Sequence, residues 1–268
     1  MESLLRGNRY QLLSALLLVA SGSVFFVLKE PFWGLGLIGA SLTLASVISR
    51  SFFHDMCIIA IGLLVMAAVP VTTDISYSHM MIMGFAMLAA VLVPYTVSRY
   101  IYHERVITFP WHFRRSWSKT QWIYLATVPL VAYLVLPFYM ITSGVYQNWP
   151  AVSGGDEVLR LFIGTNVLGI WDELFFICVV FVVLRRHVGF WMANILQAVL
   201  FTSFLYELGF ESWGPLMIYP FALLQGWIFT KTHSLFYIVC IHLIFDFFLF
   251  LVLLHAHNRQ LFDIFLFV

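Results

Sequence analysis

The chain has 268 residues, of which 62% are hydrophobic, 18% aromatic and only 10% charged, with a formal net charge of +1. A soluble domain is about 45–50% apolar and about 25% charged, so this composition excludes an ordinary soluble enzyme and leaves no room for a separate soluble domain. The near-neutral balance gives no global field to attract a partner, and no nucleic-acid partner is expected.

In chain order there are about nine apolar runs of roughly 15–24 residues, against about 20 needed to span a bilayer. They are Tyr10–Leu28, Phe32–Ser49, Met56–Val71, Met80–Ser98, Gln121–Thr142, Leu161–Leu184, Phe190–Leu208, Pro215–Thr230 and Ser234–His255. The sequence predicts an all-α, polytopic transmembrane bundle of about nine spans. The third and eighth runs are short, which leaves open a tilted or re-entrant path. The first lacks a small-residue cleavage site and is expected to be a true span.

Basic residues alternate between the connections. Arg6 and Arg9 precede the first span, and Arg50 follows the second. Arg99, Arg105, Arg114, Arg115 and Lys119 follow the fourth, Arg185 and Arg186 the sixth, and Lys231 the eighth. The other loops carry Asp74, Asp156, Glu157 and Glu211, with Lys29 and Arg160 as exceptions. By the positive-inside rule this predicts a cytoplasmic N-terminus and an external C-terminus in a bacterial-type cell membrane. Tyr100–Trp122 mixes Tyr102, Trp111, Phe113 and Trp117 with cations, the pattern of a basic loop with an aromatic anchor at headgroup depth. Tyr146–Val158 reads as an external loop. Cys57, Cys178 and Cys240 lie in apolar runs without paired spacing and read as small buried hydrophobes. The first five spans carry almost no ionisable group, so residues 1–150 form an N-terminal helical portion and 151–268 hold the unusual chemistry.

That chemistry begins with Asp172 and Glu173, adjacent acids in the sixth run. An acid in hydrocarbon is costly unless paired or wet, and by default marks function. Their environment suits a general acid or base near neutral pH; the competing reading is a structural pair bonded to neighbouring helices. His242 and Asp246, in the last run, are four residues apart and so share a helical face. These are ligand types that zinc or manganese would accept, but no HExxH helix is present and a metal-free site without cofactor is expected. Glu207, at the end of the seventh run, reads as an interfacial acid, with inward rotation of Tyr206 or Glu207 into the site as the alternative. Asn166, Gln197 and Gln225 read as interhelical hydrogen-bond glue.

Three stretches then resemble the motifs of the CAAX-protease and bacteriocin-processing (CPBP, or Abi) family of intramembrane proteases. The first is Asp172-Glu173-Leu174-Phe175-Phe176-Ile177, the second Phe201-Thr202-Ser203-Phe204-Leu205, and the third His242 with Asp246. The resemblance covers Gly169–Phe248 and implies that the last four helices form the family's core. It implies that Asp172 activates water, Glu173 supports it, and His242 with Asp246 stabilises the oxyanion. Three positions depart from the motifs. Asp172 stands for glutamate and is one methylene shorter, Ile177 takes the arginine position, and Leu205 takes the second-motif histidine position. The implied activity is an endopeptidase acting on membrane-associated peptides or proteins by carboxylate-activated water. The alternatives are a catalytically impaired relative that binds or scaffolds a membrane peptide or lipidated partner, as an immunity or maturation factor would, and a proton-coupled transporter.

Overall fold

The structure is a computed structural model and describes residues 9–112, 116–260 and 262–266. Arg6, Phe113, Arg114 and Arg115, which figure in the charge pattern and the aromatic loop, lie outside the described residues. Among the described residues there are nine long helices and no strand. They are α1 Arg9–Phe26, α2 Pro31–Ile48, α3 Arg50–Ala67, α4 Tyr77–Thr96 with a terminal π-turn Val97–Ile101, and α5 Lys119–Thr142. After these come α6 Gly155–Leu184, α7 Phe190–Glu207, α8 Gly214–Thr232 and α9 Leu235–His257. Seven are long and apolar enough to cross a membrane. The other two, α7 and α8, carry buried Asn194, Gln197 and Gln225. These polar groups lower the apolar content of the two helices but find partners on neighbouring backbones: Asn194 Nδ2 donates to Leu223 O at 2.8 Å and Gln197 Nε2 to Ala222 O at 2.9 Å. The expectation of glue holds for Gln197, whereas Asn166 bonds to Phe162 O of its own helix.

Local chemistry sets the helix starts. Ser49, Ser76, Ser118 and Ser234 each accept a backbone N–H of the first turn of α3, α4, α5 and α9, which satisfies a donor that the helix itself leaves unpaired. Glu157 plays this part for α6, accepting from Ser153 N and Gly154 N at 3.1 and 3.2 Å. As a result α6 begins at Gly155, inside the stretch expected to be loop.

α6 is the central helix. Apolar on all sides, it is buried among α3, α4, α7, α8 and α9, as such a helix must be. Trp171 fixes it to α4 by donating its indole N–H to Met87 O at 2.7 Å. Phe175 fills the space left by Gly62 of α3.

The loops segregate to two ends. At one end Lys29 pairs with Glu207 at 3.5 Å, Arg160 pairs with Asp156 at 3.0 Å, and Tyr139 donates to Glu211 O. These pairings explain the two cations that broke the charge pattern. At the other end the segment after α4 packs onto the base of α9. Trp117 meets Tyr237 at 5.0 Å and Leu235 N donates to Pro110 O. Trp117 is thus turned toward the protein rather than serving only as a headgroup anchor.

The N-terminal half also holds a buried acid that the apolar-run reading passed over. Asp55 of α3 is fully buried and accepts from Arg186 at 2.8 Å, with His187 on its other oxygen. Arg186 reaches Glu104 as well. This cluster ties α3 and the loop after α4 to the turn between α6 and α7.

Candidate active site

Asp172 ends the first α-helical stretch of α6, and Glu173 opens a π-helical stretch, Glu173–Phe181. In an α-helix neighbouring side chains diverge by about 100°. The i→i+5 bonding of a π-turn places more residues in each turn and narrows that angle. Both acids therefore reach the same imidazole. His242 Nδ1–H donates to Glu173 Oε1 at 2.8 Å, while its Nε2 lies 3.8 Å from Asp172 Oδ2. Asp246, one turn along α9, places Oδ1 at 3.8 Å from the same Nε2. The structure brings all four expected residues together, each at most 8% exposed.

Two further residues build the cluster. Gln225 of α8 donates to Glu173 Oε1 at 2.6 Å, so it is part of the site as well as glue. Gly169, one turn before Asp172–Glu173, lets Asp246 lie against the α6 backbone: a Cβ there would stand 1.8 Å from Asp246 Oδ2. Nothing in an apolar helix marks a glycine as the seat of a carboxylate on another helix.

The cluster forms the polar end of a cavity of about 390 Å³ enclosed mainly by α5, α8 and α9. His242 and Asp246 line it together with apolar groups such as Val131, Met217, Phe221 and Phe245. Asp172 and Glu173 stand behind the imidazole. Phe221 packs edge-on against the His242 ring at 5.1 Å. Leu205 of α7 lines the same cavity, at the motif position expected for histidine.

Neither neighbour of Leu205 replaces it. Tyr206 lines a separate groove with Val27 and Tyr219, and Glu207 points to Lys29. A helical step of about 100° per residue accounts for both directions, so neither side chain turns inward to the site. Ile177 is buried and apolar.

Asp172 Oδ1, Glu173 Oε2 and Asp246 Oδ2 are buried without a hydrogen-bond partner. Three carboxyl groups thus converge on one imidazole, each with an oxygen left without a partner. Among the described residues no group of three or more His, Cys, Asp or Glu has an arrangement that would hold a metal ion.

Residues 154–248 match the family model described as Rce1-like, type II CAAX prenyl endopeptidase Rce1-like. No curated protein and no solved structure matches the chain. The matched region spans α6, α7, α8 and most of α9, and contains all four clustered residues. Together with the long apolar helices, the match makes this an integral membrane protein whose residues 154–248 are similar to the Rce1-like family of CAAX prenyl endopeptidases.

Proposed function

We propose that the chain is an intramembrane endopeptidase acting on membrane-associated peptides or proteins, with Asp172, Glu173, His242 and Asp246 as its catalytic set. The observation that carries this is the convergence of three carboxyl groups on one imidazole at the polar end of an apolar cavity. Asp172 takes a proton from a water held between it and His242 Nε2. The resulting hydroxide attacks the peptide carbonyl carbon. The tetrahedral oxyanion accepts from Nε2–H of the protonated ring, a charge-assisted donor. Collapse breaks the C–N bond, and the leaving amine takes the proton from Asp172. Glu173 fixes the ring through Nδ1, and Asp246 holds it on the cavity side. The apolar cavity wall suits an apolar segment or a lipid anchor on the substrate.

The division near residue 150 falls between α5 and α6. Residues 151–268 supply the reacting groups, while α5 contributes cavity wall. The basic end of the bundle faces the cytoplasm of a bacterial-type cell, following the distribution of Arg and Lys.

One observation favours a second reading, a non-catalytic relative that binds a membrane peptide or lipidated partner: Leu205 offers no proton at the cavity wall, and the two acids of the first motif lie behind His242. Cleavage of a membrane-anchored peptide pool in liposomes separates the two. Asp172→Asn is expected to lower cleavage by at least about 100-fold, and Leu205→His to raise it by up to about 100-fold, the range a positioned acid–base group contributes. Retained peptide binding with no cleavage by either the native chain or Leu205→His would establish the second reading.

A further inference from the structure

We infer that Gln225 is the positioning residue of the site, supplying from α8 the donor that the first motif lacks at Ile177; the inference rests on the proposed catalytic reading. A buried carboxylate needs donors, since leaving it unpaired costs several kcal/mol. Within α6 the next turn offers Glu173 none, because Ile177 is apolar and buried. Gln225 is 2% exposed and uses both amide protons: one goes to Glu173 Oε1 at 2.6 Å, the other to Ile238 O at 3.1 Å. Ile238 precedes His242 by one turn of α9. A single amide therefore ties the acid on α6 to the helix turn that carries its imidazole partner. Because Glu173 Oε1 receives both the Gln225 amide and His242 Nδ1–H, the amide sets where the imidazole is held and leaves Nε2 facing Asp172 and Asp246.

The surroundings of Gln225 are built to hold it. Asn194 and Gln197 of α7 bond to the carbonyls of Leu223 and Ala222, two and three residues before Gln225. The next residue is Gly226, where a Cβ would stand 2.0 Å from Asn194 Oδ1. α8 is thus pinned to α7 on both sides of position 225, fixing its height relative to α6 and α9. Gln197 and Gln225, which read as glue in the sequence, join Asn194 in a support chain leading to Glu173.

The test is the ring-nitrogen spectrum of His242 in protein labelled with 15N-histidine, assigned by its loss in His242→Asn, together with the thermal midpoint and cleavage of a membrane-anchored peptide pool. Gln225→Met keeps the length of the side chain and removes the donor. It is expected to shift the His242 signals toward a mixture of tautomers and to lower kcat about 100-fold with little change in KM, the scale of a misplacement of about 1 Å. Gln225→Lys, which restores a donor, is expected to return both toward the native values. Ser14→Ala, which removes buried hydrogen bonds between α1 and α2, lowers the thermal midpoint as lost glue would, without changing the His242 signals. Unchanged ring signals in folded Gln225→Met would overturn the inference; if that variant does not fold, the same signal in Gln225→Glu decides. A shifted spectrum in a protein that cleaves nothing would uphold the positioning role and overturn the protease reading.

Discussion

Gly169→Ala is expected to dismantle the site while the bundle stays folded. The added Cβ would stand 1.8 Å from Asp246 Oδ2, 2.9 Å from Asp246 Cγ and 3.0 Å from His242 Cδ2. No non-bonded carbon tolerates the first of these distances. Either the Asp246 side chain rotates away from Nε2 or α6 and α9 separate. Overpacking of this kind costs typically about 1–3 kcal/mol. The functional loss is larger, because a shift of about 1 Å in a reacting group lowers the rate about 100-fold. Thermal unfolding in detergent and cleavage of a membrane-anchored peptide are the measurements. Gly36→Ala is the control: nothing lies within 4 Å of the added carbon, and the change is expected to be neutral or to stabilise by about 0.4–1 kcal/mol. Native activity in Gly169→Ala would show that Asp246 need not lie against α6.

Arg186→Met is expected to be the most destabilising single change outside the site. It leaves Asp55, whose side chain is 1% exposed, with His187 as its remaining partner. Removing one member of a buried pair costs about 3–5 kcal/mol, because the other charge stays in place without compensation. Here about 3 kcal/mol is expected, at the low end of that range. His187 remains, and the Arg186 side chain is itself 33% exposed, so solvent already screens part of the interaction. The double variant Asp55→Leu with Arg186→Met should recover most of the loss, since no buried charge is then left alone. Thermal midpoints of the two proteins in the same detergent check this. Equal midpoints for the single and double variants would show that the pair does not hold the two halves together.

Much of this fold was legible because a bilayer imposes a simple rule: long apolar runs become helices. The nine runs correspond to nine helices, and serines at 49, 76, 118 and 234 mark four of the starts. Errors arose where polar residues at a helix end find distant partners. The run beginning at Met56 excluded Asp55, yet α3 starts at Arg50 because Arg186 and His187 satisfy that acid. The four clustered residues stood out for the opposite reason: each is ionisable in an otherwise apolar run, and His242 and Asp246 share a helical face. Their mutual geometry was not legible. The π-turn at Glu173 leaves no periodic signal, the role of Gly169 depends on a carboxylate from another helix, and the partner of Gln225 lies 52 residues away in sequence. Which of Leu205, Tyr206 and Glu207 faces the site was settled by Lys29, far off in sequence, and by the packing of α7.

The most direct test is cleavage of a membrane-anchored peptide pool by the purified native chain in liposomes, with the products read by mass spectrometry beside Glu173→Gln. Glu173→Gln keeps the shape of the side chain and removes the carboxylate that holds the imidazole. Defined products are expected from the native chain and a loss of at least about 100-fold in the variant, with thermal midpoints showing both proteins folded. Products formed equally well by Glu173→Gln, or no products from a native chain that still binds the peptides, would contradict the protease reading.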